Sequence, residues 1–243
     1  MTIKSQIINT DCLSGLKRLE DSSVSLVLTD PPYNIGGHMK SRGSGVHRLR
    51  ENHFSVCDWD NIDDSLWKAL MQEFAENLYA KVKVGGAVVI FMAVIKVETI
   101  KGIFENAGFY YKTTGTWHKT NPMPRNMKLS FINSTESWIY FTKGKPSGTF
   151  NSDGKPFHDF IETSLTPLSE KRFGKHPTQK PLKLMMHFVK LLSNKDEFVL
   201  DPFCGTGTTL LAAKKLERFY IGYDMNEEYV EIANNRIKSD DVI

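Results

Sequence analysis

The chain has 243 residues, which suits one α/β domain with a large core and room for a small insertion. Its 40% hydrophobic and 24% charged residues are ordinary for a soluble globular protein, and no apolar stretch is long enough to span a membrane. A net charge of +3 is too small to indicate a nucleic-acid partner unless the charges are clustered.

The cysteines and the N-terminus favour a reducing cytoplasm. Cys12, Cys57 and Cys204 are odd in number and widely spaced, so they predict neither a disulfide framework nor a metal site. The N-terminus lacks a basic segment followed by an apolar run, as a secretory signal would require. We therefore expect a cytoplasmic protein that binds no metal and no membrane.

Strands and helices alternate along the chain. In the first half we predict strands at 3–8, 24–29 and 87–91, and helices at 14–19, 65–82 and 97–106. Gly85-Gly86 is expected to break the second helix. In the second half we predict strands at 110–117, 137–142, 198–201 and 219–222, and helices at 182–192, 208–216 and 226–238. This alternation predicts an α/β fold, with a mainly parallel sheet covered by helices on both faces, in a single domain spanning 1–243.

Two stretches, 34–64 and 143–175, are predicted to be irregular loops because they are polar and rich in glycine. The first begins just after Tyr33, and its position favours a flap that contacts phosphates; the alternative is a solvated surface loop. The candidate DNA-binding residues are the cations of this loop together with one arginine from the middle of the chain: Lys40, Arg42, Arg48, Arg50 and Arg125.

The most informative motif is Asp30-Pro31-Pro32-Tyr33, directly after the apolar strand 24–29. In open α/β sheets, ligands bind at the carboxyl ends of strands. The motif offers a carboxylate acceptor, the backbone carbonyl of Pro31 and a flat ring, which together suit an exocyclic amino group on a planar base. The alternative is a proline-rich turn in which Asp30 caps and Tyr33 belongs to the core.

A second motif, Phe203-Cys204-Gly205-Thr206-Gly207, joins strand 198–201 to the next helix. Thr208-Thr209 stands where a triphosphate-binding loop needs Lys-Ser/Thr, and Leu210 replaces the third glycine of a dinucleotide fingerprint. Asp224 follows the next strand at the spacing of an acid that binds a ribose. These features favour an adenosine cofactor without a pyrophosphate, and S-adenosylmethionine is the candidate.

At this point the chain resembles the DNA amino-methyltransferases of the β arrangement, in which the Asp-Pro-Pro-Tyr block precedes the glycine turn. The resemblance covers nearly the whole length. Besides the two motifs, it rests on three blocks: Asn9-Thr10-Asp11-Cys12-Leu13, Trp117-His118-Lys119-Thr120-Asn121-Pro122-Met123-Pro124 and His176-Pro177-Thr178-Gln179-Lys180-Pro181. It implies a Rossmann-like methyltransferase fold.

The resemblance also implies a role for each site residue. Asp30, Pro31, Pro32 and Tyr33 would be catalytic. The cofactor would be bound by Asp11, Cys12, Asp30, His176, Thr178, Phe203, Gly205, Thr206, Gly207, Thr208 and Asp224. Asp11 would meet the adenine edge and Asp224 the ribose hydroxyls, but a helix cap explains each of them too.

The implied function is site-specific methyl transfer from S-adenosylmethionine to the N6 amino group of adenine, flipped out of double-stranded DNA. Asp, rather than Ser, before Pro-Pro-Tyr favours adenine over the N4 position of cytosine. Three competing hypotheses are an RNA substrate, a non-catalytic nucleic-acid-binding subunit and a nicotinamide-dependent oxidoreductase. The resemblance allows a homodimer, and leaves a cognate restriction endonuclease open.

Overall fold

The structure is a computed structural model, and it describes residues 5–35, 62–123, 131–144, 148–174 and 176–239. Its strands are β1 (Gln6–Asn9), β2 (Val24–Thr29), β3 (Val82–Met92), β4 (Phe109–Lys119), β5 (Thr135–Lys143), β6 (Phe160–Thr163), β7 (Phe198–Asp201) and β8 (Phe219–Asp224). Its helices are α1 (Cys12–Leu16), α2 (Asp64–Lys81), α3 (Val97–Asn106), α4 (Leu182–Leu192), α5 (Thr208–Lys215) and α6 (Glu227–Ser239). Short 3-10 turns lie at Val94–Lys96 and Leu168–Lys171.

The strands of the described residues form one sheet in the order β1-β8-β7-β2-β3-β5-β4-β6. Neighbouring strands are parallel except at β5, which runs antiparallel to both β3 and β4. This confirms the predicted mainly parallel sheet.

Two apolar layers cover the sheet. On one face, α1, α2 and α3 bury a cluster that includes Leu16, Trp67 and Phe104. On the other face, α4 and α5 bury a second cluster that includes Leu184 and Phe188, and α6 packs beside α5 through Ile237. Strand β2 is buried along its whole length because both layers cover it, which explains its uninterrupted apolar sequence.

The sheet reverses its direction of winding between β2 and β7. From β2 the chain passes through α2 to β3 on one side, whereas from β7 it passes through α5 to β8 on the other. Such a reversal opens a crevice at the carboxyl ends of the two central strands. Asp30 follows β2 and the glycine turn follows β7, so both predicted motifs lie at this crevice.

Two predicted boundaries are wrong. The second helix ends at Lys81, and Gly85-Gly86 lies inside β3 rather than breaking that helix, because pairing with β2 already begins at Val82. The predicted irregular stretch 143–175 contains β6, which pairs with β4 at the sheet edge. Only alternate residues of β6 are buried, so its four-residue sequence carries a weak strand signal.

Several predicted features fall outside the described residues. They include the candidate DNA-binding residues Lys40, Arg42, Arg48, Arg50 and Arg125, and nearly all of the first predicted loop. Within the stretches that the structure describes, no helix combines the length and apolar character needed to cross a membrane.

Candidate active site

The Asp30–Tyr33 motif forms a lip over the end of β2. The Tyr33 hydroxyl donates to Oδ1 of Asp30 at 2.5 Å, and the indole of Trp67 on α2 donates to the carbonyl of Pro32 at 3.2 Å. The Asp30 side chain keeps 24% of its surface exposed, so a ligand can reach it. Tyr33 is half-buried and packs against both apolar layers, so the alternative prediction of a core contact also holds in part.

A buried row of alternating charges begins at Asp30. Lys180 forms an ion pair with Oδ2 of Asp30 and a second pair, at 3.1 Å, with Oε2 of Glu136. The other Glu136 oxygen pairs with Lys119 at 2.6 Å. Two cations and two carboxylates therefore lie together beneath the lip, and each lysine is only 7% exposed.

Burial and ion pairing have opposite effects on the pKa values of the charged residues in this row. Burial raises the pKa of Asp30 and Lys180 opposes that rise, leaving the pKa above its ordinary value. Burial alone would lower the pKa of Lys180, but its two carboxylate partners leave it raised. For Glu136, Lys180 and Lys119 outweigh burial and lower the pKa. Lys180 is therefore a charged ammonium at neutral pH.

Across the crevice, the glycine turn is fastened to the end of β8. The Asp224 carboxylate accepts hydrogen bonds from the backbone N–H groups of Gly205, at 2.9 Å, and Asn226, at 2.8 Å. Asp224 thus orders the turn and also the start of α6, which agrees with the capping alternative. Burial raises the pKa of Asp224.

The predicted cofactor residues Thr206 and Thr208 are held from α6. Arg236 donates to the backbone carbonyl of Thr206 and to both threonine hydroxyls, the latter two at 3.1 Å. The Thr206 hydroxyl also bonds the side-chain oxygen of Gln179 at 3.2 Å. In this structure these hydroxyls fix the shape of the turn.

His176 lies against the glycine turn. A Cβ added to Gly205 would lie 3.6 Å from Nε2 of His176, and the imidazole meets Tyr229 edge to face at 4.6 Å. Burial, helped by nearby Lys180 and Lys171, lowers the pKa of His176 to about 4, so the ring is neutral at pH 7. Thr178 is exposed, and its backbone N–H donates to Nδ1 of His176 at 3.3 Å.

The remaining predicted cofactor residues lie close to the same edge. Asp11 caps α1 by accepting from the backbone N–H of Ser14 at 2.8 Å, as the capping alternative predicts. Cys12 is buried in the core, and burial raises the pKa of its thiol to about 12. Phe203 is half-buried, with its ring 5.4 Å from that of Phe74.

Sequence reasoning assigned no role to several residues that the structure brings into the site: Lys180, Glu136, Gln179, Arg236 and Asp201. Lys180 and Gln179 belong to the block that begins at His176, so their place in a recognised motif was a usable signal. Glu136 sits in an ordinary strand pattern, and nothing local marks it. In the described part of the chain, no group of three histidine, cysteine or acidic side chains is placed to hold a metal ion.

Comparison with known proteins agrees with this geometry. The family model described as DNA methylase matches residues 24–235. The chain is 31% identical over 245 residues to the Type II methyltransferase M2.DpnII of Streptococcus pneumoniae, covering 96% of this chain and 90% of the relative. It is 30% identical to the Type II methyltransferase M.HpaI of Haemophilus parainfluenzae, covering 97% and 74% respectively.

A solved structure agrees as well. The crystal structure of the M1.HpyAVI-SAM complex superposes with a TM-score of 0.69 at 28% identity, covering 96% of this chain and 98% of that one. The predicted Rossmann-like methyltransferase fold and the predicted enzyme class, a DNA methyltransferase, are both confirmed. The chain therefore belongs to the DNA methylase family that modifies amino nitrogens at the N6 or N4 position.

Proposed function

We propose that this enzyme transfers a methyl group from S-adenosylmethionine to the N6 amino group of adenine in double-stranded DNA. One observation carries the proposal. An accessible carboxylate, Asp30, and an aromatic ring, Tyr33, lie at the end of β2. They lie beside the glycine turn that follows β7, and Asp224, at the end of β8, holds that turn by a hydrogen bond.

The residues around the glycine turn fit S-adenosylmethionine. The Asp224 carboxylate is an acceptor suited to ribose hydroxyls, and the half-buried Phe203 lies in the same turn. The imidazole of His176 lies against Gly205 and is neutral at pH 7, so it adds no positive charge to a site that would hold a cationic sulfonium. When bound, S-adenosylmethionine supplies an already activated methyl group, so the protein's task is mainly to align two reactants. The solved relative that is a SAM complex supports this assignment.

The protein's contribution to the reaction comes from the lip. An amino group conjugated to a base is a poor nucleophile because its lone pair is delocalised into the ring. Hydrogen bonds from that amino group to the Asp30 carboxylate and the Pro31 carbonyl would favour a pyramidal nitrogen and direct its lone pair. Tyr33 would stack on the base after it leaves the duplex, and Pro32, held by Trp67, would fix the lip.

After methyl transfer the nitrogen carries a proton that must leave. Asp30 is the acidic group at this position, and burial raises its pKa, so it is a better proton acceptor than an exposed aspartate. Lys180 is already protonated, so it cannot take this role.

The finer assignments are proposals with separate support. Adenine is favoured over cytosine because Asp, not Ser, opens the Pro-Pro-Tyr block. Lys40, Arg42, Arg48, Arg50 and Arg125 are the proposed phosphate contacts, and Asp11, Cys12 and Thr178 complete the proposed cofactor site. We also propose a cytoplasmic location, a homodimer and a cognate restriction endonuclease as partner; relatives named Type II methyltransferases are consistent with the last.

The test is to incubate the enzyme with S-adenosylmethionine tritiated at the methyl group and unmethylated plasmid and genomic DNA, then digest the DNA to nucleosides. We expect the label in N6-methyldeoxyadenosine. Label in N4-methyldeoxycytidine would support the cytosine alternative. Absence of label from both, with a folded enzyme that binds the cofactor, would contradict the proposal.

A further inference from the structure

One short segment connects the two halves of the site. Within residues 176–180, the His176 ring lies against Gly205 and the Gln179 side chain bonds the hydroxyl of Thr206, both in the glycine turn. The next side chain, Lys180, turns the other way and pairs with Asp30 on the lip. Lys180 therefore ties Asp30 to the same segment that covers the glycine turn.

The two oxygens of the Asp30 carboxylate have different partners. Oδ2 faces the buried Lys180, whereas Oδ1 accepts from the hydroxyl of the half-buried Tyr33. The Lys180 ammonium also lies 5.2 Å from the ring centre of Phe91 and 5.9 Å from that of Tyr33. Enclosed by two rings and two carboxylates, this ammonium has little freedom to move away from Oδ2.

We propose that Lys180 is a positioning residue: it anchors Oδ2 of Asp30, so that Oδ1 alone exchanges the Tyr33 hydroxyl for the amino group of the target base. This inference rests on the proposed function. The exchange keeps the carboxylate fully hydrogen-bonded before and after the base enters, and the anchored oxygen fixes the plane of the carboxylate. The Tyr33 hydroxyl occupies the amino-group position until the base arrives.

Several charged or titratable groups surround this pair. Glu136 faces Lys180 from β5 and is itself paired with Lys119 of β4. Lys180 in turn lowers the pKa of the neighbouring His176, and Asp30 raises that of the neighbouring Asp201. Without the Lys180 cation, burial and Glu136 both raise the pKa of Asp30, and the hydrogen bond from Tyr33 is the remaining influence that lowers it. The acidic limb of the pH–rate profile, where Asp30 must lose its proton, then moves to higher pH.

The structure supplies a matched pair of substitutions. Lys180 and Lys119 are equally buried, at 7% exposure, and both pair with Glu136. Of these two lysines, only Lys180 also pairs with Asp30. We therefore compare Lys180→Met with Lys119→Met. The readouts are the single-turnover rate of tritiated methyl transfer to unmethylated plasmid and genomic DNA, its pH profile, and cofactor affinity by calorimetry.

Lys180→Met is expected to slow methyl transfer by about 100-fold or more, the order of effect of a displaced catalytic group, and to move the acidic limb to higher pH. Its affinity for S-adenosylmethionine stays within about tenfold of wild type. Lys119→Met is expected to keep the rate within about threefold and the limb in place.

Equal losses of rate in the two lysine variants, or a Lys180→Met profile that matches wild type, would overturn the inference. If Lys180→Met does not fold, the triple variant Lys180→Met/Glu136→Gln/Lys119→Met, which leaves none of these three residues as an unpaired buried charge, is measured instead. The same slow rate and shifted limb are expected, and a normal rate would overturn the inference. A wild-type enzyme that labels no DNA would instead contradict the proposed function.

Discussion

Gly205 and Gly207 lie two residues apart in the same turn, and their surroundings differ. Both have positive φ angles, +48° and +75°. A Cβ on Gly205 would meet His176 at an ordinary 3.6 Å, whereas a Cβ on Gly207 would lie 2.8 Å from the Cβ of Ala233 on α6. A side chain at Gly207 would therefore collide with α6, whereas one at Gly205 would not meet such a conflict.

The glycine pair gives a stability prediction. Alanine at either position carries the strain of a left-handed conformation, about 1–2 kcal/mol. Only Gly207→Ala adds a steric conflict with Ala233, so it should lower the free energy of unfolding by at least about 1 kcal/mol more than Gly205→Ala does. Urea unfolding of the two variants measures this difference. Equal losses would mean that α6 shifts freely to accommodate the added methyl group.

Tyr33 gives a second prediction at this scale. Replacing it with Ala removes the ring proposed to stack on the target base, at a cost of about 1–3 kcal/mol. We expect weaker binding of DNA by Tyr33→Ala, with Tyr33→Phe as the control that retains the ring. Fluorescence anisotropy with labelled unmethylated DNA compares them. If both variants bind like wild type, Tyr33 does not stack on the base.

At the scale of elements, β2 and β7 are joined at their carboxyl ends by a buried acid. Asp201 closes β7, and its Oδ1 accepts from the hydroxyl of Thr29 on β2 at 2.7 Å and from the backbone N–H of Phe203 at 3.2 Å. Burial raises the pKa of Asp201 to about 7, against 3.8 for an ordinary aspartate. The junction that positions both motifs is therefore sensitive to pH.

The sign of this pH dependence follows from proton binding. Between about pH 4 and 7, folded Asp201 holds a proton that the unfolded chain has released, so its contribution to the free energy of unfolding falls by about 1.4 kcal/mol per pH unit as pH rises. Asp201→Asn keeps an acceptor for Thr29 and does not titrate. As pH rises from about 4 to 7, we expect the free energy of unfolding to fall less in the variant than in wild type. Parallel pH dependences would contradict the raised pKa.

Local sequence signals predict the central strands of the sheet but not the edge strand β6. β2 and β7 are continuous apolar runs, and the structure places both where they were predicted. β6 was missed because its pairing with β4 comes from tertiary structure rather than from its own composition. In the same way, Asp30 and the glycine turn are readable as motifs. The Asp30–Lys180 pair joins residues 150 positions apart, so only the fold reveals it.

At the scale of the whole molecule, DNA binding is expected to depend on the cations that follow Tyr33. If Arg42, Arg48 and Arg50 contact phosphates, replacing all three with Gln should weaken DNA binding and spare cofactor binding. The slope of log affinity against log salt should become shallower by about 0.9 for each phosphate that the variant no longer neutralises. Titrations at several salt concentrations measure it. An unchanged slope and affinity would assign DNA recognition to other parts of the chain.

The central claim is that methyl transfer occurs at Asp30, beside the glycine turn. The most direct test is the single-turnover rate of tritiated methyl transfer to unmethylated DNA by Asp30→Asn, with cofactor affinity measured by calorimetry on the same preparation. Asn has nearly the same shape as Asp. It lacks the negative charge that pairs with Lys180 and that is proposed to strengthen the hydrogen bond from the amino group of the base. We predict loss of methyl transfer with cofactor affinity kept within about tenfold of wild type. A folded Asp30→Asn enzyme that transfers methyl groups at the wild-type rate would contradict the account.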